Sequence, residues 1–296
     1  MAPRVLIVWC IACLLWSGTF LFIRLGVSHV PPLTFAWLRL LIACAVLAAI
    51  SVARRGFAGL GWRDVMHITG TGVLLLGVNY GLTYWGAQFI PSGLVAILQS
   101  TTPVIAMAIG WGLGAETVTL RKCAALAAGI VGVLLTFREE ARAPGAGGLP
   151  GVLAVGGGSI CVAVAYVWLK RTAARTPPLT VTTFQCVAGF IPLMTVGLIT
   201  EGNPFNAGWT LPAIVALLYL SIGASVVAFG LIYWLLQRMD TSAMLMMGVA
   251  EVPIAVSLGA MFFDERLPPG MLAGGACVLA GVMLTLSSRP ARRLST

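Results

Sequence analysis

Two charged residues stand deep inside apolar stretches of this chain: Arg39 and Glu251. A charge at the centre of a bilayer costs about 2.5 kcal/mol or more, so each needs a partner, a water-filled cavity or a substrate. Arg39 lies about 10 Å into its stretch from the outer end, and Glu251 about 18 Å into its own, at a rise of about 1.5 Å per residue. A long arginine side chain bridges part of that difference. Two readings stay open for the pair: a buried ion pair that fixes helix packing, or groups that meet a substrate or a proton.

Polar side chains recur at helical spacing. Gly72, Leu76, Asn79, Thr83 and Gly86 fall on one face, and Ser92, Gln99, Thr102 and Pro103 repeat the idea in the next stretch. Lipid rewards neither amides nor hydroxyls, so these faces point inward. Asn79, Thr83 and Gln99 are therefore candidates to line a cavity; helix–helix hydrogen bonding, about 0.6 kcal/mol per bond, is the alternative. Trp16 and Tyr166 sit mid-stretch and suit stacking on a substrate. Tyr84 and Tyr233 join them as cavity candidates, although aromatics near span ends also form the interfacial belt. Met247, with Met244 and Met246, offers flexible thioethers to an apolar surface or to core packing. Pro103 and Pro253 each remove a backbone hydrogen bond, which makes them candidate hinges.

Other chemistries find no support. The only histidines, His29 and His67, lie near helix ends, and no acidic pair shares a span interior, so an intramembrane hydrolase lacks its nucleophile and base. Cys10 and Cys13 form a C-x-x-C without a second pair or a nearby histidine, so no metal site is expected. Gly156-Gly157-Gly158 lacks the strand–turn–helix context of a phosphate loop. No cofactor is expected, and active transport would have to draw on a gradient.

The elements that position these residues follow from composition. Hydrophobic residues make up 59% of the 296 positions and charged ones 9%, against about 25% charged in soluble domains. The net charge of +9 sits in short clusters at helix ends and not in an aromatic-laced stripe, which excludes a nucleic-acid face. Ten spans are predicted, near 5–25, 32–53, 64–89, 92–115, 120–137, 149–169, 178–200, 211–237, 241–263 and 268–287. The first resembles a signal peptide but has a counterpart in the second half, so it is kept as a span. Pro-Pro pairs at 31–32, 177–178 and 268–269 mark three helix starts, and Asp64, Ser92 and Thr241 stand at expected N-caps.

The chain repeats itself. Gly81-Leu82-Thr83-Tyr84-Trp85 returns as Gly230-Leu231-Ile232-Tyr233-Trp234, 149 residues on, and Pro31-Pro32-Leu33-Thr34 as Pro177-Pro178-Leu179-Thr180, 146 on. Pro103 answers Pro253, and Glu116 answers Glu265. Residues 1–137 and 149–296 form two five-span repeats joined by a linker at 138–148, within one membrane domain. An odd number of spans turns the second copy upside down, which gives an inverted pair of the kind that supports alternating access. With both termini cytoplasmic, 13 basic residues face inside and 4 outside, as the positive-inside rule requires. The expected fold is thus all-α and integral to the membrane.

The pattern resembles the drug/metabolite transporter superfamily, in particular its EamA-type branch. The matching residues are Trp16-Ser17-Gly18, Pro32 with Arg39, Thr102-Pro103-Val104, Glu251-Val252-Pro253, the acidic Glu116 and Glu265, and Gly129, Gly132 and Val133 with Gly281 and Val282. One departure is the valine between Glu251 and Pro253, where the family often has Glu-Pro. The resemblance implies export of small metabolites, often amino acids, through a central cavity lined by spans 1, 3, 4, 6, 8 and 9. Among family members it looks most like exporters of aromatic and neutral amino acids. Expected partners are a small-molecule substrate, the lipid of a bacterial-type inner membrane and, as candidate coupling ion, a proton. The chain is expected to work as a monomer. A passive facilitator and an intramembrane enzyme are the competing functions.

Overall fold

The computed structural model describes residues 3–53, 61–114, 119–142, 148–172, 176–236, 238, 241–265 and 267–286. Among them every regular element is helical: α1 (Pro3–Val27), α2 (Pro32–Ala53), α3 (Trp62–Gly72), α4 (Asn79–Gly86), α5 (Ser92–Gln99), α6 (Thr102–Gly112) and α7 (Leu120–Arg142) come first. Then follow α8 (Gly148–Thr172), α9 (Pro178–Thr200), α10 (Leu211–Leu218), α11 (Ala228–Leu236), α12 (Thr241–Phe263) and α13 (Pro269–Leu286). A helix satisfies its backbone within its own segment, as a bilayer demands. Seven helical runs are long and apolar enough to cross a membrane: Pro3–Val27, Pro32–Ala53, Trp62–Gly86, Ser92–Gly112, Gly148–Leu169, Pro178–Thr200 and Leu211–Ile232. The other three expected spans coincide in position with α7, α12 and α13.

The prolines begin α2, α9 and α13 as anticipated. Other local expectations are corrected. The cap of α3 is Gly61, and Asp64 lies in the first turn. Ser92 is the first residue of α5 and makes no capping bond of its own, because its hydroxyl is turned to Glu265. Helix α7 continues to Arg142, so the first residues of the expected linker are helical. Glu116, linker residues 143–147 and the side chains of Thr241, Tyr233, Met244 and Met246 lie outside the described residues.

Two features were not anticipated. A π-helical stretch, Val73–Val78, joins α3 to α4, and a second, Tyr219–Val227, joins α10 to α11. Such bulges frequently mark functional helices. Pro192 lies inside α9, a second in-helix proline beside Pro253.

Packing rests on small residues, since lipid supplies no hydrophobic drive between helices. A Cβ on Gly132 of α7 would lie 2.7 Å from the Val278 side chain of α13, and one on Gly281 would lie 2.7 Å from the Ala125 carbonyl. The small-residue series of α7 and α13 thus serves intramolecular packing. Helices α2 and α9 also pair, and the Ser51 and Thr183 hydroxyls meet at 2.9 Å. Helix α8 packs on α3, α4, α5 and α6, while α1 packs on α10, α11 and α12.

Side chains also bind the ends of foreign helices. The Arg24 guanidinium donates to the carbonyls of Ala87 and Gln88 at 2.7 and 2.6 Å, just past the C-terminus of α4. The Glu201 carboxylate accepts the Leu33 and Thr34 amides at 2.9 and 2.6 Å, at the start of α2. Each charge has the sign that its helix end favours.

Candidate functional site

Arg39 is 4% exposed on α2. Its Nη1 donates to the Tyr84 hydroxyl at 2.7 Å, while Nε and Nη2 donate to Ser225 Oγ at 3.3 and 3.2 Å. The guanidinium also lies 4.9 Å from the centre of the Tyr80 ring, which stacks on Tyr84 at 5.6 Å. Ser225 donates in turn to the Leu220 carbonyl at 2.8 Å, five residues back, inside the second π stretch. Arg39 therefore ties α4 to the π stretch between α10 and α11. The ion pair considered for Arg39 and Glu251 is not formed: a hydroxyl pair and an aromatic face take the guanidinium instead. Ser225 carried no sequence signal, because the π register that presents it cannot be read from residue spacing. Gln185 stands one repeat after Arg39, 146 residues on, as Pro178 does after Pro32. It donates from Nε2 to Thr71 Oγ1 at 3.0 Å.

Asn79, Thr83 and Gln99 come together as the inward face implied. Gln99 Nε2 donates to Thr83 Oγ1 at 2.9 Å, Thr83 donates to Asn79 Oδ1 at 3.1 Å, and Asn79 Nδ2 donates to the Leu75 carbonyl at 3.2 Å. Gly158 of α8 abuts this relay; a Cβ there would stand 2.7 Å from Asn79 Oδ1. Asn79 and Thr83 are 4% and 2% exposed. In this structure both are buried where α4 meets α8, the helix–helix bonding that was the alternative for them. Tyr84, fully buried on Arg39, and Met247, packed with Ala12, Cys13 and Leu235, are likewise closed off.

Among the described residues, Glu251 is the one sequence candidate with a buried polar atom left without a partner. This residue is half-buried on α12, and its Oε1 is buried without a hydrogen-bond partner. Cys13 of α1 and Tyr166 of α8 lie within electrostatic range of its carboxylate, and Tyr80 within range of Tyr166. Tyr166 is 51% exposed. Helix α8 packs on α3 to α7 and α12 on α1, α5, α11 and α13, so α5 is the helix that both share. Trp16, half-buried on α1, donates to the Ala224 carbonyl of the second π stretch at 3.3 Å. Gln99 is half-buried at the C-terminal end of α5. The residues brought near the Glu251 carboxylate are thus Cys13 and Tyr166, while Trp16 and Gln99 are held by Ala224 and Thr83.

The two prolines differ. Span 4 is not one kinked helix: α5 stops at Gln99, and α6 starts at Thr102 with Pro103 in its first turn. Hydroxyls satisfy the broken backbone. Ser100, Thr101 and Thr102 donate to the carbonyls of Ile97, Leu98 and Gln99 at 2.7, 2.6 and 2.8 Å, and Ser159 of α8 reaches Leu98 at 3.1 Å. The run Ser100-Thr101-Thr102 before Pro103 was the readable signal for this break. Pro253, by contrast, lies within continuous α12.

Comparison with known proteins agrees with a membrane carrier. The profile of the EamA-like transporter family matches residues 4–138 and 149–287. The uncharacterized transporter YoaV of Bacillus subtilis is 24% identical, covering 92% of both chains. A "probable amino-acid metabolite efflux pump" of Salmonella typhimurium is 24% identical, covering 94% of this chain and 93% of its own. The uncharacterized inner membrane transporter YedA of Escherichia coli K12 is 27% identical, covering 92% and 88%. A solved crystal structure shares the fold at a TM-score of 0.62 and 20% identity, over 96% of each chain.

Proposed function

Since the chain belongs to the EamA-like transporter family and is an integral membrane transporter, we propose that it exports amino acids or similar small metabolites by alternating access. Ten spans form two inverted five-helix repeats, residues 1–137 and 149–296, in the inner membrane with both termini cytoplasmic. Several observations support this reading. The family profile matches twice. Packing partners exchange under the repeat: α4 on α8 is answered by α1 on α10 and α11, and α5 on α8 by α1 on α12. Relatives named as an inner membrane transporter and an amino-acid metabolite efflux pump support the compartment and the substrate class.

The observation that carries the reading is the half-buried Glu251, with one carboxylate oxygen unpartnered beside a half-exposed Tyr166. A carboxylate held in low dielectric without a partner is expensive unless it takes a cation or a proton. An amino acid's ammonium group or a coupling proton meets that need. Trp16, Gln99, Tyr166 and Glu251 bind substrate, Tyr233 is a further candidate, and Pro103 and Pro253 are hinges. Arg39 is a structural clamp. Counterflow of labelled amino acids in proteoliposomes, with and without a pH gradient, tests this. Accumulation that follows the gradient supports antiport; counterflow indifferent to it favours a passive facilitator; no counterflow of any amino acid refutes the substrate class. Reporter fusions at Arg55, Arg142 and Thr296 should read inside, outside and inside, and an outside signal at Thr296 refutes ten spans.

A further inference from the structure

We propose that Glu265 is the latch of an outer gate, and that this structure is the state closed at the outer face and open inward between α6 and α12. The inference rests on the transport reading only for its purpose; its geometry stands separately.

The end of α12 and the start of α5 meet closely. A Cβ on Gly93 would lie 3.0 Å from Val256 Cγ2 and 3.2 Å from Val256 Cα, and one on Gly259 would lie 2.7 Å from Ser92 Oγ and against the Glu265 carboxylate. At Gly259 a side chain would collide with Ser92 and Glu265, and at Gly93 a Cβ is tight but fits if Val256 gives slightly. After α12 the chain turns sharply at Asp264, whose φ is 50°, a left-handed conformation that aspartate tolerates better than most residues. The Glu265 amide then returns to the Gly259 carbonyl at 3.3 Å. This fold-back sets the carboxylate over α5. It accepts the Ser92 amide at 3.1 and 2.9 Å through its two oxygens, and the Ser92 hydroxyl at 2.7 Å. The first amides of a helix have no partner within it, and an anion suits its positive end.

Below the latch α12 stays with α5 more than with α6. Helix α12 packs along α5, whereas α6, beyond the break at Ser100–Thr101, packs on α7, α8 and α13. Most of the contact of α12 with span 4 is on α5; Val104 of α6 and Val252 of α12 share one buried cluster with Ile97 and Val278. Glu251 lies eight residues before Gly259 on α12, about 12 Å beneath the latch at about 1.5 Å per residue. The binding space is thus sealed on the latch side. Arg24 on the end of α4 and Glu201 on the start of α2 close the same face, so its three charged clamps all join helices distant in sequence. All three clamps join helices that pack on each other, and the Glu265 clamp follows the helix that carries Glu251.

The test needs no substrate, so its failure is distinct from failure of the export reading. Tyr166→Cys in the full-length protein should react with a membrane-impermeant maleimide from the inner side and not from the outer. Adding Glu265→Ala should raise outer-side labelling about tenfold, the loss of one or more charge-assisted hydrogen bonds. Glu265→Gln, which still accepts from Ser92, should fall between. Outer labelling of Tyr166→Cys with the latch intact, or no gain with Glu265→Ala, overturns the proposal. A second measurement covers misfolding of Glu265→Ala. With Glu265 intact, Gly93→Cys plus Val256→Cys should cross-link on oxidation, verified on the linked peptide, and should leave inner-side labelling of Tyr166→Cys unchanged. Failure to cross-link, or loss of inner labelling on cross-linking, also overturns it.

Discussion

Arg39 offers the sharpest test of how the fold carries a buried charge. Its 2.7 Å bond to Tyr84 is charge-assisted, worth about 1.5–3 kcal/mol, and Tyr84 has no exposed surface through which water could replace it. The Ser225 bonds at 3.2 and 3.3 Å are longer, and the Tyr80 ring at 4.9 Å adds roughly 1–2 kcal/mol when desolvated. Against these stands a desolvation cost of several kcal/mol for the guanidinium. Arg39→Met should therefore destabilise by only about 1–3 kcal/mol, as gains and losses partly cancel. Arg39→Lys should be worse, because one ammonium keeps the charge but cannot reach Tyr84 and Ser225 together. The double-mutant cycle is cleaner: Arg39→Met with Tyr84→Phe should show a coupling of about 2 kcal/mol, and Arg39→Met with Glu251→Gln close to none. Unfolding in detergent can be followed through exposure of the buried thiols Cys13, Cys44 and Cys186. An Arg39–Tyr84 coupling below about 0.5 kcal/mol, or a larger one to Glu251, refutes the clamp.

Three further outcomes are expected. Glu251→Gln should abolish the pH-gradient dependence of transport while leaving counterflow measurable; an unchanged gradient response in the folded variant eliminates the proton role. Pro253→Ala should restore a backbone bond in α12 and slow transport, whereas Pro103→Ala, at the start of a helix already broken by hydroxyls, should slow it less; equal transport in both variants contradicts the distinction. Gly132→Leu should destabilise by roughly 3 kcal/mol, because its added atoms meet Val278 and the α13 backbone; a melting temperature within a degree of wild type disproves that contact.

Much of the architecture was written in the residues. Proline pairs located the starts of α2, α9 and α13, and apolar length located the spans, because the bilayer forces backbone bonding within each segment. The sequence also picked out Arg39 and Glu251, since charge in hydrocarbon is conspicuous. It could not name their neighbours. Asn79 and Thr83 lie on an inward face, but whether that face meets water or a helix depends on Gly158, 79 residues after Asn79 in the chain. Ser225 reaches Arg39 only because five-residue bonding rephases its helix, and no spacing rule foresees that. Span 4 looked like a kinked rod because one proline outweighed the three hydroxyl residues before it.

Under the proposed inverted repeat, the unequal partners Arg39 and Gln185 have a thermodynamic consequence. Two identical halves would make the inward and outward shapes mirror each other in energy, and a resting molecule would divide its time evenly. Here one half holds its neighbours with a guanidinium on Tyr84 and Ser225, and the other with an amide on Thr71. An imbalance of about 1.4 kcal/mol between the two clamps already shifts the occupancies tenfold. On that proposal, exchanging arginine for glutamine between the repeats sets the idle position, and swapping the two residues should move the population without touching the binding site.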